Sequence, residues 1–167
     1  MSFEILLSAS VWDAMVAEAN RMSPMETGGL LLGYWEAENS STINVKHIVG
    51  PGGKANHELD YFEPDYEFQE SELARLYAAS GRRLHYLGDW HTHPNSEAYL
   101  SLRDKMTIRS IARYADARNP NPLMVVMGHG SPWIPRAWRY PTDHLGRLFF
   151  FYRDSCPSRA SLQVRVS

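Results

Sequence analysis

The stretch that most constrains this chain is Gly88-Asp89-Trp90-His91-Thr92-His93-Pro94, followed shortly by Ser101-Leu102-Arg103-Asp104. Upstream, Leu84 to Tyr86 is apolar and aromatic enough for a buried strand, and side chains two apart on a strand share a face. His91 and His93 therefore project side by side, and Pro94 stops the strand. Two imidazoles on one face, joined by a carboxylate from the next helix, are the donors of a tetrahedral zinc site with an open fourth position. A His-x-His pair alone in a strand is more often structural than metal-binding. The weight lies on the combination.

Asp104 has two readings. Ser-x-x-Asp at the start of a helical pattern is an ordinary capping box. With Ser101 as N-cap, the helix is expected to run through Met106, Ile108, Ile111, Ala112 and Ala115 to Asn119-Pro120. At roughly 100° per residue, Asp104 falls within about 40° of Ile108, Ile111 and Ala115, centred on the stripe a helix buries. A carboxylate there needs a compensating partner, and a metal ion repays its desolvation. The ligand reading is therefore preferred to the cap.

A length of 167 residues suits one domain with a substantial core. The net charge of −2, with both signs interspersed, gives no footprint for nucleic acid or an anionic membrane. One cysteine, Cys156, excludes an intrachain disulfide framework. The start Met1-Ser2-Phe3-Glu4-Ile5-Leu6-Leu7-Ser8 lacks the basic segment and long apolar core of a signal peptide, so the cytoplasm is the expected compartment. No apolar run approaches the roughly 20 residues that span a bilayer.

From the front, Ser10 to Asp13 forms a capping-box pattern, and Val11, Met15, Ala19 and Met22 recur at helical spacing up to Ser23-Pro24. Leucines between glycines over Gly28 to Trp35 read as a central strand entered by a tight turn, with Glu26 at its mouth. Asn39 to Thr42 is a turn and Ile43 to Val49 a strand. Gly50 to His57 is a loop by composition that borders a substrate groove in this reading, and His47, His57 and His85 have no ligand spacing. Leu59 to Phe62 is a short strand. Pro64 and Gly81 bracket a helix packed through Leu73, Leu76 and Tyr77. Leu123 to Met127 suits a buried strand, and Trp133 to Tyr140 and Leu148 to Tyr152 read as two more, with Pro135 placing the former at an edge. The polar tail from Asp154 to Ser167 is expected to be peripheral. This irregular alternation gives an α/β (α+β) fold in which a mixed sheet is sandwiched by helices.

Glu26, then His91-Thr92-His93-Pro94, then Ser101-Leu102-Arg103-Asp104 resembles the signature of the JAMM (MPN+) zinc metallopeptidases, and the likeness extends in order of elements from about Gly28 to Tyr140. The resemblance implies a single JAB/MPN domain over residues 1–153, with a cytidine-deaminase-like three-layer arrangement and residues 154–167 as a tail. It implies one zinc per chain, held by His91, His93 and Asp104, with Glu26 as general acid and base and Ser101 stabilising the oxyanion. The implied substrate is the bond after the C-terminal tail of a ubiquitin-like or similarly conjugated protein. Such peptidases reverse what E1- and E2-like enzymes attach, as in antiphage CBASS operons or ubiquitin-like bacterial pathways. Processing of a sulfur-carrier protein is a second use of the same fold.

Physical chemistry supports those roles separately. Zinc with two neutral imidazoles and one carboxylate lowers the pKa of its water to about 7, and a neighbouring Glu26 can exchange protons with it. Ser101 at a helix N-terminus offers donors to a developing oxyanion. Cys156, in a polar tail with no His at a recognisable spacing, disfavours a cysteine-peptidase mechanism. Two readings from other classes compete: a cupin using His91, His93 and Glu97, and a catalytically inactive MPN-like binding module. The cupin lacks its later glycine, and the inactive module would lack ligands that this chain retains.

Overall fold

The computed structural model describes residues 4–36 and 42–140, together with the backbone of 158–165. Glu4–Ser8 forms β1, a strand absent from the sequence reading, in which Ile5, Leu6 and Leu7 are all buried. Apolar on both faces, it carries none of the alternation that marks a half-exposed strand. It feeds without a loop into α1 (Ala9–Met22), capped by Ser8 rather than from Ser10 as the motif suggested. Val11, Met15 and Ala19 are buried as expected, and Met22 is half-buried.

Next come β2 (Gly28–Trp35), β3 (Thr42–Val49), the short pair β4 (Asn56–His57) and β5 (Phe62–Glu63), and α2 (Tyr66–Ala79). The expected Leu59 to Phe62 strand is thus mostly the turn of a hairpin. Asp65 caps α2, so Pro64 precedes the cap instead of opening the helix. Leu73 and Leu76 are only half-buried, Tyr77 is exposed, and the fully buried residue of α2 is Gln69, which donates to the Gly50 carbonyl at 3.0 Å. Then follow β6 (His85–His93), α3 (Leu102–Arg113), a 3₁₀ turn at Ala115–Ala117, β7 (Leu123–Gly128) and β8 (Ile134–Arg139). Helix α3 ends six residues short of Asn119, so the stripe through Asp104 and Ile108 stops before Ala115.

The final strand, β9 (Ser158–Arg165), corrects the reading of the tail as peripheral: it pairs in parallel with β1 and antiparallel with β8. Ala160, Leu162 and Val164 alternate with polar residues there, a period-two pattern masked by the overall polarity of the segment. The strands join in the order β1-β3-β2-β6-β7-β8-β9, and β9 meeting β1 closes the sheet. The turn at residues 39–41 and the strand expected over Leu148 to Tyr152 lie outside the described residues. Strand β8 is not at an edge as Pro135 suggested, since it lies between β7 and β9; Pro135 pairs with Met127 of β7, in the half of β8 that β9 does not reach.

Helices cover both faces of this mixed sheet, giving the α+β architecture expected. One core joins Val11, Met15 and Ala19 of α1 to Ile5, Leu7, Leu31, Ile43, Val45, Leu87, Trp90, Leu123, Val125 and Met127. The second packs Ile108 of α3 on Met124, Val126, Ala98 and Leu100. Alternate residues of β7 serve opposite cores, which is why Leu-Met-Val-Val-Met is apolar without a break.

Candidate active site

Strand β6 positions the histidines by way of an irregularity. Its pairing with β2 passes from Leu31↔Gly88 to Leu32↔Tyr86, so Leu87 is an extra residue, and Gly88 takes φ +145°. This bulge puts both Leu87 and Trp90 in the α1 core although they are three apart. Asp89, His91 and His93 share the other face. Only glycine suits Gly88, since a Cβ would meet the Leu123 backbone at 2.5–2.7 Å and would carry the strain of that φ. Gly28, paired with His91, is equally constrained: a Cβ there would press into the Trp90 carbonyl and lie 2.9 Å from His91 Cβ.

Asp104 arrives from the first turn of α3, where the capping reading is realised and the carboxylate is also placed against both histidines. Ser101 Oγ accepts from Asp104 N–H at 3.1 Å, and Ser101 N–H donates to Asp104 Oδ2 at 2.8 Å. Asp104 Oδ1 is left facing His91 Nε2 at 3.3 Å, and Oδ2 lies 3.7 Å from His93 Nε2. The two imidazole Nε2 atoms are 3.1 Å apart. All three side chains offer donor atoms within 4.8 Å of one another. Glu26 stands just outside this group, its Oε1 3.9 Å from His93 Nε2. Ser101 sits at the helix N-terminus, its hydroxyl accepting from Asp104 N–H. The five residues singled out in the sequence are thus drawn into one place from β6, α3 and the mouth of β2.

The donor set fits a zinc-sized cation. With ligand bonds of about 2.0–2.1 Å, the edges of a tetrahedron are about 3.3 Å, close to the separations found between His91, His93 and Asp104. Glu97, the carboxylate a cupin would use, points elsewhere: it is 76% exposed and pairs with Arg136 at 3.2 Å. A helix begins at Leu102, where a cupin would continue in strands.

Electrostatics divides the group. Burial pushes the His93 imidazole down to about 4, with the neighbouring His91 adding to the effect, so His93 keeps a free lone pair at neutral pH. Burial also acts to lower His91, but hydrogen bonding and charge from Asp104 outweigh it and the ring is raised. Burial would raise Asp104, yet His91 and the Ser101 cap hold it well below the usual carboxylate range. At Glu26 burial outweighs the opposing charges of His91 and Arg103 and lifts the carboxyl to about 7. Two carboxylates a few ångströms apart are thereby separated, one permanently charged and one poised to exchange a proton.

Residues without any motif complete the surroundings. Thr27 N–H donates to Thr92 Oγ1 at 3.0 Å, and Thr92 N–H to the Thr27 carbonyl at 2.8 Å, locking the mouth of β2 onto β6. Asn95 Nδ2 donates to the carbonyls of Pro24 and Leu59, both at 3.1 Å. The Tyr99 ring, 48% exposed, lies 5.0 Å from that of His93. An open groove of about 550 Å³ beside Glu26 is lined by Pro24, Met25, Glu58, Leu59 and Asp60. Spacing reveals none of these, because each partner is contributed by a remote segment.

Residues 8–141 match the family described as prokaryotic homologs of the JAB domain. A probable metalloprotease, y4qB, of Sinorhizobium fredii is 41% identical over 136 residues, covering 80% of this chain and 82% of the relative. A CD-NTase/cGAS isopeptidase of Enterobacter hormaechei is 29% identical over 133 residues, covering 78% and 69%. The solution structure of protein DSY2949 from Desulfitobacterium hafniense superposes with a TM-score of 0.69 over 98% of this chain and 94% of that one, at 16% identity, a likeness of fold. The chain belongs to the prokaryotic JAB-domain family. Within that family it is a hydrolytic metallopeptidase, in keeping with the group of His91, His93 and Asp104, whose donor atoms are close enough to hold a metal ion.

Proposed function

We propose that this metallopeptidase is a zinc-dependent isopeptidase that hydrolyses the amide bond after the C-terminal tail of a ubiquitin-like or similarly conjugated protein. It would act in the cytoplasm, undoing E1/E2-like conjugation in a CBASS-type or ubiquitin-like pathway. The observation that carries this reading is the convergence of His91, His93 and Asp104 within 4.8 Å, with a raised-pKa Glu26 beside them. Kinship to the CD-NTase/cGAS isopeptidases supports the deconjugating role, and among the described residues no helix is long and apolar enough to cross a membrane.

His91, His93 and Asp104 would hold one zinc ion per chain. When bound, it supplies a Lewis acid that acidifies water and polarises the scissile carbonyl. Glu26 takes the proton from the attacking water as the carbon–oxygen bond forms, then gives it to the departing lysine amine as the carbon–nitrogen bond breaks. The Ser101 hydroxyl stabilises the charge on the carbonyl oxygen. Glu58 and Asp60 at the groove favour a tail with a basic side chain next to an apolar one, the latter resting on Leu59 and Met25. The test is incubation of the zinc-loaded protein with conjugates of ubiquitin-like proteins encoded by neighbouring genes. Mass spectrometry is expected to find a free tail carboxylate and an unmodified lysine. Intact conjugates after prolonged incubation would overturn the reading.

A further inference from the structure

We infer that the β4–β5 hairpin is the positioning element of Glu26, with His57 as the positioning residue acting through the glutamate's backbone. The inference rests on the proton-shuttle role proposed above. Glu26 lies between the end of α1 and the start of β2, where neither a helical nor a ladder bond can satisfy its peptide groups. Both of its partners come from the hairpin: Glu26 N–H donates to the Glu58 carbonyl at 2.7 Å, and His57 Nδ1 is 2.9 Å from the Glu26 carbonyl. A carbonyl only accepts, so Nδ1 carries the proton. The Phe62 ring packs 5.4 Å from the half-buried His57 ring, limiting its rotation.

The hairpin is itself tied to the metal strand. Glu58 N–H donates to the Tyr61 carbonyl at 2.8 Å to close the turn. Asn95, two residues beyond His93, bridges Leu59 at the hairpin tip to Pro24 just ahead of Glu26. A route of hydrogen bonds therefore runs from the end of β6 through the hairpin to the backbone of the glutamate. A surface histidine bonded to an arbitrary carbonyl would matter little. Here the carbonyl belongs to the residue whose carboxylate stands 3.9 Å from His93 Nε2, and a misplacement of about 1 Å can cost 10²-fold in rate.

The test uses the full chain with His57→Ala and with His57→Asn, whose amide N–H can stand in for Nδ1–H. In chelator-treated protein, hydrogen exchange at the Glu26 amide is expected to speed up more than about 10-fold in His57→Ala, to stay slow in His57→Asn, and to be unchanged in both at the amides of β7. Zinc-loaded protein is then assayed on ubiquitin carrying a fluorogenic amine on its C-terminal carboxyl. His57→Ala is expected to lower kcat by about 10- to 100-fold with KM and zinc content unchanged, and His57→Asn to recover most of the loss. In a Glu26→Gln background the same substitution is expected to have no further effect, because the group it positions is gone. Unchanged exchange at Glu26, or equal losses in both backgrounds, would overturn the inference. A parent protein inert on this probe would count against the proposed function, and exchange at Glu26 would still decide the clamp.

Discussion

Ser101 and Asp104 hold each other in a reciprocal cap, and the carboxylate oxygen this leaves over is the one that faces His91 at 3.3 Å. The cap thus sets the rotamer of the carboxylate proposed as a ligand. A side chain already fixed by folding loses little freedom on binding.

Substitutions at Asp104 separate these two tasks. Asp104→Asn keeps an acceptor for Ser101 N–H but loses the charge, whereas Asp104→Ala loses both. Elemental analysis is expected to find one zinc per chain in the parent, strongly reduced occupancy in both variants, and none after joint replacement of His91 and His93. In chelated protein Asp104→Ala is expected to be less stable than Asp104→Asn, by about 1 kcal/mol for the lost cap interaction. Glu97→Ala is expected to leave the zinc content at the parent level.

Glu26→Gln is nearly isosteric and cannot carry a proton between water and amine. Turnover is expected to fall toward or beyond the upper end of the 10² to 10⁴-fold typical of acid–base catalysis, with the fold and one zinc retained. Single-turnover kinetics on a cleavable conjugate measure this directly. A variant working near the parent rate would reduce Glu26 to a loop carboxylate.

The raised pKa of Glu26 has a signature in stability. Its carboxyl moves from an ordinary value of 4.5 to about 7 in the folded, metal-free chain. The protonated form is favoured by folding, so its contribution is present in full below pH 4.5 and is lost as pH rises through about 7. Thermal melts in chelator are expected to show Glu26→Gln gaining on the parent between those limits and holding a constant lead above them. Parallel Tm curves would exclude the shift.

Ser101→Ala removes the proposed oxyanion donor and an observed N-cap together. A rate loss on the order of 10² to 10³ is expected from the first, and about 1 kcal/mol of stability from the second. Ser101→Gly, which preserves most N-cap stability, is expected to recover the melting temperature and leave the rate low. Equal recovery of both would make the hydroxyl purely structural.

Local spacing was enough to nominate the residues of the site. His91 and His93 two apart before Pro94, and Asp104 on the stripe with Ile108, are spacings that any strand and any helix turn into shared faces, because periods of 2.0 and 3.6 follow from backbone geometry. The helical period made α1 legible, whereas β2 and β7 were legible as short apolar runs bounded by glycine or proline. Local periods also set Asp104 as cap against Asp104 as ligand, since period alone does not show that one carboxylate oxygen can be held in a cap while the other faces His91.

Only the tertiary structure decided the rest. Ile5, Leu6 and Leu7 stand in an unbroken apolar run because β1 is covered on both sides. Strand β9 reads as a polar tail until β1 and β8 supply its partners, and Leu87 becomes a bulge only against β2. Glu26 acquires its raised pKa from burial under segments far away in the chain, and its backbone partners, His57 and Glu58, belong to a hairpin about thirty residues on. Hydrogen bonds and desolvation between such segments depend on which surfaces meet, and no local period along a chain encodes that meeting.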